Sequence, residues 1–573
     1  MPLTPEDFTN EAAYFVSELK RRKEDNPADF IFSDIIDSEG NQYVDLVQEG
    51  GGVLGIALAG YTYVMEEMGI RFLSLGGTSA GSVNTLLLAA MGPPQEKKSL
   101  KILEAIVQKD FAEFMDGGED IKLLVRSTTW RNPLLRWLGG VAGILGNLDE
   151  AFFETGFNPG DAFYTWLETL LKEEDIETAR ALEKRMNSFP KELLRLDSKL
   201  SAKLAIVAAD ITTETKVVFP EMSDLYFDRP ERVNPAKFVR ASMSIPLFFK
   251  PMTIDLADLP RKDPDFIQKW RDKANYLGKI PEKVSLVDGG IMSNFPIDIF
   301  HERNRIPNRP TFGVRLGIDR IRQRPTDTML AIFMACFDGA RNIRDYEAIK
   351  NNEDFRQLIS YVDTDHHNWL NFDLPDRDKL DLFKRGAQSA ALFLSGFDWQ
   401  SYKRMRKSMA FQQVIKNPGV FFENPMEALQ KAGLDTAYQD RFKKWKETGR
   451  SLRILWMDSN PGNDFFEQQL LIALGFEVVA ATNAGSARAL SSNTLPHLIV
   501  ADFNAESEEN ELQAIHQWFT TDRLQIPLIL HSAKHNIVSQ RQAVPGIVQY
   551  ITYEPKQLLE VVLNVVTGPN KQA

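Results

Sequence analysis

The sequence predicts an α/β protein of more than one domain. Two patterns carry this: between Gln42 and Met91 short apolar runs, glycines and helical stretches alternate as βαβα, and at RILWMD (Arg453–Asp458) the same alternation starts afresh. A third observation is length, since 573 residues exceed what one hydrophobic core usually organises.

In chain order, residues 1–39 read as an N-terminal helical arm, and 40–325 as an α/β domain. YVDLVQ before Gly50 reads as a strand, Val53–Met68 has helical spacing, and RFLSL before Gly76 reads as a second strand. KLAIVAAD (Lys203–Asp210), VSLVD (Val284–Asp288) and TFGVRL (Thr311–Leu316) supply further strands. From 326 to 445 the chain reads largely helical. Leu380, Leu382, Phe383, Ala387 and Ala390 trace one apolar face, which predicts an extension packed on the first domain. The charged stretch RFKKWKETGRS (Arg441–Ser451) reads as a linker, and 451–570 as five strands alternating with helices.

Composition narrows the function. With 43% hydrophobic and 25% charged residues the chain is of globular type. A net charge of −12 argues against nucleic acid as a partner. The N-terminus lacks the pattern of a secretory signal, and no run approaches the ~18 apolar residues of a membrane span. Cys336 is the only cysteine, which excludes an intrachain disulfide and a cysteine-based metal site. The expected location is cytoplasmic, with peripheral membrane contact. Ser127–Leu148, with Trp130, Leu134, Trp137 and Leu138 around a Gly-Gly break, reads as a core or contact helix, with a lipid-facing lid as the alternative.

The chemistry concentrates in three places. EGGGVLG (Glu49–Gly55) follows a strand and opens a helix, so its backbone N–H groups face whatever lies above the strand end. Gly50, Gly52 and Gly55 match a dinucleotide fingerprint, but the next strand ends in glycines where that reading needs an acidic residue. Gly77-Thr78-Ser79-Ala80-Gly81 is a G-x-S-x-G sequence between a strand and a helix, the context in which a sharp turn holds a serine hydroxyl out. A nucleophilic serine needs a base. No histidine occurs before His301, so a carboxylate must serve, and Asp288, ending the strand VSLV and followed by Gly289 and Gly290, is the candidate. It reaches the carboxyl edge that carries Ser79 if the two strands run parallel.

Gly50-Gly51-Gly52-x-x-Gly55, Gly77-x-Ser79-x-Gly81 and Asp288-Gly289-Gly290 together resemble the three signatures of patatin-like phospholipases, in that order. AADITTETKVVF (Ala208–Phe219) and RASMSIPLFFKP (Arg240–Pro251) resemble the family too, as does GGIMSNFP after Asp288. The resemblance implies a three-layer α/β/α fold and hydrolysis of acyl esters in phospholipids or other lipids, with no metal and no cofactor. It implies Ser79 as nucleophile, Asp288 as base, and an oxyanion hole from backbone N–H groups of Gly50, Gly51 and Gly52. Gly55, Gly77, Gly81, Gly289 and Gly290 would support the motifs. Where the family commonly has Arg or Lys two positions past the third glycine, this chain has Leu54. An acyltransferase using the same acyl-enzyme, or a non-catalytic scaffold keeping the fold, stays open beside the hydrolase.

Residues 451–570 resemble a response-regulator receiver domain, a flavodoxin-like α/β fold. By position Asp502 matches the phospho-accepting aspartate, Asp458 a metal-site carboxylate and Ser532 the switch hydroxyl. Ser459 and Glu554 stand where a carboxylate and a lysine are expected, so the resemblance implies a degenerate receiver serving in regulation or homo-oligomerisation.

Overall fold

A computed structural model of the chain describes residues 3–114, 158–190, 200–301 apart from 247, 306–317, 326, 329–416 apart from 365 and 370, and parts of 434–567. Two compact units emerge, one built on residues up to Asp398 and the other on Trp399–Ala573. The lid-or-core segment Ser127–Leu148 lies outside the described residues.

The first unit is a three-layer α/β structure around an eight-stranded sheet. Its strands are β1 Gln42–Gln48, β2 Ile70–Thr78, β3 Leu204–Asp210, β4 Thr215–Phe219, β5 Met252–Asp255, β6 Lys283–Asp288, β7 Thr311–Leu316 and β8 Ile359–Val362. The path runs β5-β6-β3-β2-β1-β7-β8, with β4 also paired to β3. Strands β3, β2, β1, β7 and β8 are parallel; β4 and β6 run antiparallel to β3. Every residue of β1, β2 and β3 is buried, as befits central strands covered on both faces.

Three helices matter for the site: α1 Pro5–Asp25, α2 Gly55–Glu67 and α3 Ala80–Ala90. Helix α1 buries Phe8, Ala12, Val16 and Leu19 at helical spacing and starts in a capping box between Thr4 and Asp7. Helix α2 is buried almost all round, which happens when a helix is covered on its outer side as well. The cover is the helix Asp376–Gly396, whose Leu382, Phe383, Ala387 and Ala390 are fully buried. Glycines make the crossing close: a side chain on Gly60 would run into the Phe383 carbonyl, and one on Gly386 into the Ala57 carbonyl.

The stretch 326–445, read as largely helical, also holds a strand. Ile359–Val362 joins the sheet edge as β8, pairing parallel with β7 and burying Ile359, Ser360 and Val362 while Tyr361 stays exposed. Residues read as linker also have a structural role: Phe442 and Trp445, on the helix Thr436–Glu447, are buried in the core of the second unit.

That second unit has five parallel strands, β9 Arg453–Asp458, β10 Glu477–Ala481, β11 Leu498–Asp502, β12 Leu528–His531 and β13 Val548–Thr552, in the order β10-β9-β11-β12-β13. This is the 2-1-3-4-5 order of flavodoxin-like sheets. Alternate residues feed two cores: Ile454, Trp456, Val500 and Ile529 on one face, and Leu455, Met457, Ile499 and Leu530 on the other.

Candidate active site

Strand β2 runs to Thr78 and turns into α3 at Ser79, whose φ of 52° and ψ of −125° lie where L-residues rarely sit. Such a backbone costs roughly 1–3 kcal/mol and persists only where the surroundings over-determine it. Here they do. The Ser79 N–H donates to the Ser242 hydroxyl (2.9 Å), which in turn donates to the Val207 carbonyl (2.6 Å). The Ser79 carbonyl accepts from the Ser82 N–H (2.9 Å) and the Ser82 hydroxyl (2.6 Å). Small neighbours are compulsory: a side chain on Gly81 would strike the Gln48 carbonyl, and a Cβ on Gly77 would lie 2.5 Å from the Gly81 carbonyl oxygen. The Ser79 hydroxyl donates to the Met243 sulfur at 3.3 Å, and the residue is 2% exposed.

Asp288 arrives differently from the expectation. A parallel β6 was required to place it beside Ser79; β6 is antiparallel to β3. A strand has two edges, and β4 occupies one edge of β3 from Ile206 to Asp210. Strands β2 and β6 therefore share the other edge: β2 stops with Thr78 opposite Val207, and β6, coming the opposite way, stops with Asp288 opposite Ala208. The carboxyl ends of the two strands meet head to head, so the ends that carry Ser79 and Asp288 adjoin. Gly289 then folds over the β3 edge, where a side chain would collide with the Val207 carbonyl, and the Gly290 N–H donates to Asp288 Oδ1 (2.7 Å).

The glycine run ends β1 next to β2. Its three amides are not equivalent. Gly50 N–H donates to the Asn294 carbonyl (3.1 Å), so that donor is committed to the fold, against the expectation that it serves an oxyanion. Gly51 and Gly52 stand at the entry to a 3-10 turn, Gly52–Leu54, where the first N–H groups are not consumed by the turn itself. Gly52 must be glycine twice over: its φ is +56°, and the Trp369 carbonyl, which accepts from the Val53 N–H (3.1 Å), fills the space of a side chain. Gly55 opens α2 with its Cβ position 3.1 Å from the Ala80 Cβ, which locks the two helix starts together. Leu54 is buried, at 7% exposure.

Behind the glycine run, Glu49 and Arg315 form a buried ion pair, 2.9 Å apart and each 3% exposed. Glu49 also accepts from the Leu316 N–H (2.6 Å) and the Asn294 side-chain amide (3.2 Å). It thereby ties the ends of β1 and β7 to the segment that follows Asp288. Next to Ser79 opens an apolar cavity. Gly52, Ala80 and Met243 line it at the serine; Leu87, Phe114, Phe163, Trp166 and Phe372 make much of its remaining wall. Asn84 is its one polar side chain among the lining residues. Phe372 is stacked on Phe248 at 4.6 Å between ring centroids.

Reading the residues alone missed Ser242, Met243, Asn294, Asp345 and Trp369. Ser242, Met243 and Asn294 lie within quoted segments, RASMSIP and GGIMSNFP, but nothing local marks their roles. Among the described residues no group of acidic, His or Cys side chains could hold a metal, and no helix is long and apolar enough to cross a membrane.

In the second unit Asp458 and Asp502 end neighbouring strands in register, while Ser459, Ser532 and Glu554 lie outside the described residues.

A family model described as patatin-like phospholipase matches residues 46–301. At the level of that family the match supports lipid acyl hydrolysis. The uncharacterized protein YqhO of Bacillus subtilis (strain 168) is 28% identical over 355 residues, covering 61% of this chain and 98% of that protein. The receiver domain of the Francisella response regulator 1452 is similar over 21% of this chain and 99% of its own, at 15% identity and a TM-score of 0.19. A LuxR-family response regulator from Aurantimonas sp. SI85-9A1 covers the same share of this chain at 20% identity and a TM-score of 0.18.

Proposed function

We propose that this protein is a serine lipid acyl hydrolase of phospholipase A or lysophospholipase type, with Ser79 as nucleophile and Asp288 as base. The observation that carries the reading is the head-to-head meeting of β2 and β6 on one edge of β3, beside an apolar cavity. In the proposed reaction Asp288 takes the Ser79 hydroxyl proton as Oγ attacks the ester carbonyl carbon. The Gly51 and Gly52 N–H groups hold the oxyanion, and the N-terminus of α3 adds favourable field. The C–O bond to the leaving alcohol breaks and takes up the proton, leaving an acyl-serine. Water, deprotonated by Asp288, then releases the fatty acid. The cavity takes the acyl chain, since its wall offers many apolar contacts and few polar ones.

The site of action is the cytoplasm with transient contact at lipid surfaces, and the second unit acts as a regulatory or oligomerisation module rather than a phospho-acceptor. The test of the chemistry is turnover of a fluorogenic phospholipid and covalent labelling by a fluorophosphonate. Both are expected in wild type and absent in Ser79→Ala of unchanged circular dichroism. Labelling that persists in Ser79→Ala would reject the nucleophile. For the second unit, acetyl phosphate should neither label Asp502 nor alter turnover.

A further inference from the structure

The three sequence motifs converge on a segment that none of them includes. Ser293, Asn294 and Phe295 follow the Asp288 turn, and each makes a contact that fixes one part of the site. The Ser293 carbonyl accepts from the Thr78 hydroxyl (3.0 Å), one residue before Ser79. The Asn294 carbonyl accepts from Gly50 N–H (3.1 Å), and its side-chain amide donates to the Gly50 carbonyl (3.1 Å) and to Glu49 (3.2 Å). One side chain from a later helix grips both ends of the segment. Asp345, on the helix Met329–Asn351, accepts from the Phe295 N–H (2.7 Å) and from the Ser293 hydroxyl (3.2 Å). Asp345 is 3% exposed, and a buried carboxylate is retained at a cost unless its bonds are needed.

We propose that Asp345 is a positioning residue that clamps both ends of Ser293–Phe295 and thereby holds the Ser79 elbow, the glycine run and the Asp288 turn in register. The assignment rests on the reading of Ser79 and Asp288 as the reacting pair. It gives a helix outside all three motifs an indirect hold on the reacting groups. Asp345 touches no substrate and acts only through the clamped segment. Its charge is not the essential feature. An asparagine can accept from the Phe295 N–H through its oxygen and donate to the Ser293 hydroxyl oxygen, so Asp345→Asn preserves the clamp and Asp345→Ala abolishes it.

The experiment pairs hydrogen exchange with kinetics on the full chain. In Asp345→Ala, peptides covering 46–56 and 286–296 should exchange roughly 10-fold faster while peptides from β3 stay unchanged, the pattern of local opening. Turnover of a short-chain p-nitrophenyl ester should lose about 10-fold to 100-fold in kcat with little change in KM, as displaced reacting groups do. Asp345→Asn should stay near wild type in both. If Asp345→Ala is insoluble, Ser293→Ala, which removes one of the two clamp contacts, should accelerate exchange in the same two peptides to a smaller degree. Unchanged exchange in those peptides overturns the clamp, as does faster exchange spread equally through β3, and so does an Asp345→Asn variant as impaired as Asp345→Ala. A wild type without turnover but with the expected exchange pattern sinks the hydrolase reading and leaves the clamp standing.

Discussion

The Ser79 elbow and the Asp288 turn adjoin on one edge of β3, yet they are built in opposite ways. The elbow is local in sequence: strand, glycine, serine, glycine and helix follow one another within Ile70–Ala90, and Ser82 holds the Ser79 carbonyl, while Ser242 braces the Ser79 N–H from a distant segment. The Asp288 turn is assembled from afar. Its strand enters antiparallel long after the elbow in the chain, and its continuation is held by Asn294 against Gly50 and by Asp345 from a later helix. A site half local and half long-range should fail in two distinguishable manners.

The sharpest break is chemical. Ser79→Ala should remove at least about 1,000-fold of the turnover while leaving the melting temperature near wild type, because it keeps the backbone and Cβ and removes a hydroxyl bonded only weakly to the Met243 sulfur. Asp288→Asn, measured alongside, should cost less, about 100-fold to 10,000-fold, since in the proposed reaction it removes the base and keeps the nucleophile and the oxyanion donors. Equal losses with a lowered melting temperature in Asp288→Asn would show that the turn, not the proton transfer, had been lost.

On the elbow side a smaller effect sharpens the comparison. Val83 lies on α3 and lines the cavity. Val83→Phe should leave a p-nitrophenyl acetate reaction nearly intact and lower the rate on a long-chain ester by roughly 10-fold, the scale of a few methylenes excluded from an apolar pocket. A uniform loss on both esters would mean that the cavity is not the acyl site.

The smallest effect is on the Asp288 side and is read as stability. Burial, the first cause, pushes the Asp345 carboxyl up to about 7, with the Glu49 charge adding to the rise and Arg315, the Phe295 N–H and the Ser293 hydroxyl opposing it. The folded protein therefore keeps a proton between pH 3.8 and about 7 that the unfolded chain releases. Its stability contribution falls as pH rises through that window. Asp345→Asn lacks this slope, so its melting temperature relative to wild type should climb between pH 4.5 and pH 8. A constant difference across that range would contradict the raised carboxyl.

Legibility in the sequence follows the same division. The strands at Gln42–Gln48, Ile70–Thr78, Leu204–Asp210 and Thr311–Leu316 announce themselves as apolar runs, because central parallel strands are buried on both faces. Ser79 was readable since the turn needs Gly77 and Gly81 at fixed offsets. Asp288 was readable as a residue but not in its approach, because strand direction is set by pairing partners and not by composition. Strand β8 hid in a helical context at a sheet edge. Asp345 carries no local mark at all: an aspartate in FDGARN means something only once Phe295 is folded against it.

The crossing of α2 with Asp376–Gly396 has a practical consequence for anyone who trims this chain. The family model matches 46 to 301, but the helix that begins at the glycine run leans, backbone on backbone, against residues near 386. A fragment ending at 301 would strip β7, β8 and that helix from the sheet, and bare an apolar helix to water. The shortest piece worth expressing for the first unit is therefore set by Gly386 and its neighbours and not by the end of the family match.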